Sequence, residues 1–208
     1  MIQFRRFYFR RPYFRDFDMV RLAVVCALLR MSLCVLADEP PKKVDEKLRQ
    51  ELAKRVKEDQ DARKAFIEWS KTHADTPPDK QPKELIQKTE EIDRANTKWL
   101  KDLVEKRGWP RISGAGKDGA FNAWLLVQHA DKDPAFQKKC LDLMKALPKE
   151  EVELKNIAYL TDRVLVAEGK KQLYGTQFHT VDGKLEPRPI EEEAKVDERR
   201  KAMGLGTF

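Results

Sequence analysis

Cysteine is scarce in this 208-residue chain: Cys26 and Cys34 sit in an apolar amino-terminal run, and beyond it Cys140 stands alone. One thiol excludes an internal disulfide there and any site that needs two thiolates. Within AFQKKCLDLM, Cys140 reads as a buried spectator ahead of a nucleophile. Histidine is equally rare, and His73, His129 and His179 fall in no compact ligand spacing such as HExxH. Gly116-Lys117 is followed by Asp118 rather than Ser or Thr, so no nucleotide-cradling loop is expected. Ser113 lacks a nucleophile-elbow context, which argues against a serine hydrolase. Internal repeats and sustained heptads are missing too.

A surplus of positive charge is also lacking where it would matter. The whole chain carries +7, but residues 1–37 hold seven Arg, no Lys and two Asp, which leaves only +2 for the 171 residues that follow. Nucleic acid is therefore not an expected partner of that part. Those 171 residues are enough for one ordinary core and short for two large domains.

Residues 19–37, MVRLAVVCALLRMSLCVLA, place Arg21 ahead of an apolar stretch that ends at Val35-Leu36-Ala37, just before polar Asp38-Glu39. This is the layout of an export signal, with a cut expected after Ala37. Arg30 interrupts the run, and an uncleaved membrane anchor is the alternative. The upstream IQFRRFYFRRPYFRDFD is read as a basic aromatic extension, with Met19 as the expected start. The resulting division is 1–37 extension and signal, 38–43 linker, and 44–208 one helical domain. After cleavage no membrane span is expected, and the destination is periplasmic or secreted.

Apolar periodicity sets the expected elements. Val44, Leu48, Leu52, Val56, Asp59, Ala62, Phe66 and Trp69 recur at helical spacing, and the prolines of ADTPPDKQP stop that helix near His73. A second helix is expected from Pro82 or Lys83 to Arg107, then a Gly-rich loop to Ala120 and a short apolar helix ending near Ala130. Asp133-Pro134 supplies an N-cap and first-turn proline for a helix lined by Phe136, Cys140 and Met144. Further helices are expected over 151–167 and 191–203. Between them QLYGTQFHTVDGKLEPRP changes to strand period, with Asp182-Gly183 as a hairpin turn. The expected class is mainly α, a single domain of packed helices with a small carboxyl-terminal β-hairpin.

The blocks AWLLVQHADKDPAFQ, IAYLTDRVLVAEGKKQLYGTQF and VDERRKAMGL, with the earlier DQDAR, closely resemble a bacterial family of unknown function, over nearly all of residues 45–205. Ser113-Gly114-Ala115-Gly116 departs from that family's loop in lacking a large aliphatic residue. The resemblance implies a single-domain bacterial protein, exported or cytoplasmic, and supplies no biochemical role.

Polar groups inside apolar helical runs are the informative signal, because their burial costs several kcal/mol unless paired (about 2–7). Asp59 and Arg63 lie one turn apart, as do Tyr159 and Arg163, while Gln128, His129 and Asp131 end the most apolar helix. In the catalytic reading His129 is a general base set by Asp162 or Asp131, with Arg163 stabilising negative charge. In the structural reading these residues form a buried network that fixes helix register. Arg163 is expected to pair with Asp59 or Asp131. Tyr174, Thr176 and Gln177 form a second ligand surface, and Trp109 could roof a cleft. Metal through His129, Asp131 and Asp162 is considered but not expected, and no cofactor is. The leading expectation is an exported module that binds a small ligand or an envelope protein; the alternative is a small hydrolase or transferase using His129, Asp162 and Arg163.

Overall fold

The computed structural model describes residues 43–73, 76–181 and 183–208, so the expected signal segment and its two cysteines lie outside the described residues. Those residues form six α-helices and one two-stranded antiparallel sheet, the mainly helical architecture with a carboxyl-terminal hairpin that the periodicity predicts. None of the described helices is long and apolar enough to cross a membrane.

Helix α1 spans Glu46–Thr72, capped by Asp45, whose carboxylate accepts from the Leu48 amide at 3.0 Å. Its stripe buries Leu52 and Asp59, and nothing beyond Asp59 is buried. Trp69 and His73 stack at 4.7 Å where the helix ends. After the prolines, α2 runs over Lys83–Arg107, burying Asn96, Leu100 and Val104 but nothing earlier. Only one half of each helix therefore meets the core; the other half forms an arm. The core joins Leu52, Leu100, Trp109, Leu126, Phe136 and Leu160, with Cys140 at 0 % exposure, where burial pushes its thiol up to about 12. A thiol so placed is inert, as its apolar setting suggests.

The Gly-rich stretch is not a loop. Helix α3 covers Ile112–Gln128, broken at Gly116, whose φ of 76° and ψ of 163° belong to a region open essentially to glycine. The first turn persists because Glu151 accepts from the Ser113 amide at 2.9 Å, a cap supplied from a distant segment. Small residues on the buried face allow α1 to come close: a Cβ at Gly119 would lie 3.1 Å from that of Ala115 and 3.8 Å from the Arg49 backbone. At Gly116 an added Cβ would meet Asp118 Oδ1 at 3.0 Å. Gly116→Ala is expected to cost about 1–3 kcal/mol, read as a lower urea midpoint with an unchanged slope; a loss below about 0.5 kcal/mol would show that the kink relaxes freely.

Helix α4, Pro134–Lys145, starts as expected with Pro134 in its first turn and Asp133 accepting from the Phe136 amide at 3.1 Å. Helix α5 covers Leu154–Ala167, after a 3-10 turn at Lys149–Glu151 where the helix itself is expected to begin. Strands β1, Phe178–Val181, and β2, Lys184–Pro187, pair in the register Phe178↔Pro187 to Val181↔Lys184, and Gly183 has φ of 76°. The strand does not extend back to Leu173, because residues 173–176 turn to hydrogen-bond α5. The last helix, α6, is only Val196–Ala202, shorter than expected and preceded by a 3-10 turn.

Candidate functional site

The buried half of α1 ends at Asp59, and three other polar residues converge on it. His129 caps the carboxyl end of α3, where buried Gln137 of α4 donates to the carbonyls of Val127 at 3.1 Å and Gln128 at 3.3 Å. That brace sets the His129 ring with Nδ1 2.9 Å from Asp59 Oδ1. Arg63, one turn after Asp59, places Nε 3.2 Å from the same oxygen and 3.1 Å from His129 Nδ1, while its Nη2 donates to Asp93 Oδ1 of α2 at 2.5 Å. Gln60 donates to the other Asp59 oxygen at 2.7 Å. Asp59 is 1 % exposed.

The two carboxylates differ electrostatically. Burial acts to raise the Asp59 pKa, but the hydrogen bond and charge of His129, with Gln60 and Arg63, outweigh it and hold the group below the ordinary range. At Asp93 burial wins over Arg63, helped by the Asp59 charge, and the pKa is raised. Nδ1 of His129 holds either a proton, donated to Asp59, or a lone pair, accepting from Arg63. The contact with Asp59 is the shorter of the two. With Nδ1 donating to Asp59, Nε2 is the ring nitrogen left over, an acceptor without a proton and a donor with one, and among the described residues nothing bonds to it.

Beside the cluster lies a cavity of about 550 Å³ that Glu90, Asp93, Arg94, Lys98 and His129 help to line. Asp59 and Arg63 do not line it, so the cavity meets the cluster at His129 and Asp93. Charges on its wall are partly paired: Lys101 with Asp133, and Lys132 with Glu90 at 3.2 Å. Arg94 and Lys98, one turn apart on α2, have no partner among the described residues and give the cavity a positive side. The sequence reading missed Asp93, Arg94 and Lys98. Asp93 precedes buried Asn96 and Leu100 by three and seven residues, which puts it on the inward face of α2 and was the available signal.

The remaining expected residues form two other groups. Arg163 pairs with Asp131 at 2.7 Å, as expected, and donates to Gln128 Oε1 at 2.9 Å; neither residue joins His129. Asp162, at 0 % exposure, accepts from the amides of Leu173 (2.7 Å), Tyr174 (3.1 Å) and Thr176 (3.0 Å), and from the Thr176 hydroxyl (2.9 Å). It is thus enclosed by donors rather than set beside His129, and the orienting carboxylate is Asp59. Tyr174, Thr176 and Gln177 make this enclosure instead of a ligand surface, Gln177 through its amide to Oε1 of buried Gln172 at 2.8 Å. From the opposite side Arg199 donates to the Leu173 carbonyl at 2.7 Å and Arg200 to that of Tyr174 at 2.6 Å. Gly175, φ 66°, is required because a Cβ there would be 2.5 Å from the Phe208 ring. Trp109, 5 % exposed, is part of the core and does not roof a cleft. Tyr159 is half-exposed, edge-on to Trp124 at 6.0 Å.

Asp59, Asp93 and His129 each bring a ligand-type atom within 4.8 Å of the others, a donor set that divalent ions accept. The Arg63 guanidinium already contacts all three. The set suits a metal only with Arg63 displaced.

A family model described as a family of unknown function (DUF6624) matches residues 46–208. No curated protein and no solved structure matches the chain.

Proposed function

The chain belongs to DUF6624, a family of unknown function, and on that premise we propose that it is a binding module for a small anion, received in the cavity between α2 and the end of α3. The observation that carries this reading is His129, held at Nδ1 by a buried carboxylate and lining a cavity that also offers unpaired Arg94 and Lys98. With a proton on Nε2 the ring donates to an anion, and the two cations supply long-range attraction. Export across the inner membrane is part of the same proposal, supported by the residue pattern of 19–37.

Binding is tested by titrating acetate and inorganic phosphate while following the His129 ring and the Arg94 and Lys98 amides by NMR. These signals should shift saturably, and His129→Gln should weaken binding about tenfold or more with its fold retained. Absence of saturable shifts at His129 with both anions would refute the site. One observation favours a second reading, hydrolysis or group transfer with His129 as general base: a buried carboxylate orients the ring as a catalytic dyad requires. Asp59 takes that orienting role in place of Asp162, and Arg163 has no part. Turnover lost in both Asp59→Asn and His129→Gln, with anion binding kept in Asp59→Asn, would favour it.

A further inference from the structure

A second cavity of about 460 Å³ lies between α1 and α2 in the arm that the core does not reach, with Phe66, Ile67, Ile86 and Thr89 on its walls. It adjoins the first. Glu90 lines both, and Arg63, which lines the second, reaches Asp93 on the wall of the first. The charges along the shared boundary are paired, Glu90 with Lys132 and Arg63 with Asp93, so that boundary carries no unpaired carboxylate to repel an anion.

The two cavities differ in chemistry. One offers cations and His129; the other offers mainly hydrocarbon, with Ile67 left 52 % exposed. An isolated exposed isoleucine needs no explanation, but one set in an apolar cavity that shares Glu90 with a cationic one does. We propose that the two cavities form one bipartite site for a single-chain amphiphile, its anionic head beside His129, Arg94 and Lys98 and its aliphatic tail between α1 and α2. The volume of the second cavity falls in the range of pockets that enclose small organic ligands (about 300–1,000 Å³). This rests on the anion-binding reading and adds the class of ligand.

Each methylene fully removed from water strengthens binding about fourfold. Octanoate has six more methylenes than acetate, so burial of only half of them predicts octanoate about fiftyfold tighter or more. The experiment compares acetate and octanoate, below the micellar range, on the folded protein, its Ile67→Asn variant and its His129→Gln variant. Ile67→Asn should remove most of the octanoate advantage and leave acetate unchanged, while His129→Gln should weaken both. Octanoate binding no tighter than acetate, with acetate still sensitive to His129→Gln, overturns the tail site and leaves the anion site standing. An octanoate advantage indifferent to Ile67→Asn overturns the placement of the tail. If neither anion responds to His129→Gln, the underlying anion reading has failed.

Discussion

Asp162→Ala is expected to lower stability by about 3–5 kcal/mol, roughly 8 °C or more in melting temperature for a chain of this size. The carboxylate is completely buried and takes three amides and a hydroxyl. Alanine would remove the acceptor and leave those donors without one, and each unsatisfied buried donor costs about 1–3 kcal/mol. Asp162→Asn should cost about half as much, because one oxygen remains and the new amide group turns N–H toward N–H. Circular dichroism during thermal unfolding reads both. A loss under about 1 kcal/mol for the alanine variant would mean that residues 173–176 simply swing out to water. Asp162 is engaged by residues 173–176 and does not line the His129 cavity, so anion binding per folded molecule should survive Asp162→Asn.

Asp59→Ala is the second large effect, about 3 kcal/mol or more, because it removes the buried carboxylate of an ionic cluster and leaves Arg63 with Asp93 as its one carboxylate. It should also weaken anion binding, since the His129 ring loses the shorter of the two contacts that orient it and keeps only Arg63. The pH dependence has two opposed parts. Asp59, with its folded pKa below the unfolded value, contributes stability that is present above the ordinary carboxylate range and lost as pH falls through the folded value. Asp93, with its folded pKa raised, binds a proton in the native state before the unfolded chain does. Its ionisation therefore costs stability at neutral pH, and that cost is relieved as pH falls toward the ordinary range. Urea denaturation of the native chain should show a small rise in stability on mild acidification, then a steeper fall. Asp93→Asn should lose the rise and keep the fall. A rise that persists in Asp93→Asn would assign it to another group.

The helices were legible because their signals are local. The stripe from Leu48 to Asp59, the prolines around 77–82 and the Asp133-Pro134 start each act within a turn or two, and α1, α2 and α4 follow them. The first turn of α3 was not legible, because four glycines argue for a loop and the Glu151 carboxylate that caps Ser113 arrives from another element. Half of the site could be read, Asp59 and Arg63 by their one-turn spacing and His129 by its place at the end of an apolar helix. Its wiring could not. Asp131 and Asp162 are the near neighbours of His129 and Arg163 in the chain, and proximity in sequence favoured them. Helix packing instead delivers Asp59 to His129 and Asp93 to Arg63 from separate elements. The YGTQ block reads as strand because its side chains alternate, yet the buried charge of Asp162 draws its amides inward, and that charge lies a whole helix end away.

Helix α6 has seven residues, too few to persist alone when nucleation is so unfavourable. Its Arg199 and Arg200 grip the carbonyls of Leu173 and Tyr174, whose amides Asp162 already holds. Opposite charges from two helices thus seize opposite poles of the same short run of peptide units, whose dipoles are fixed between them. The last helix is tied, through Leu173 and Tyr174, to a carboxylate with which it makes no hydrogen bond of its own.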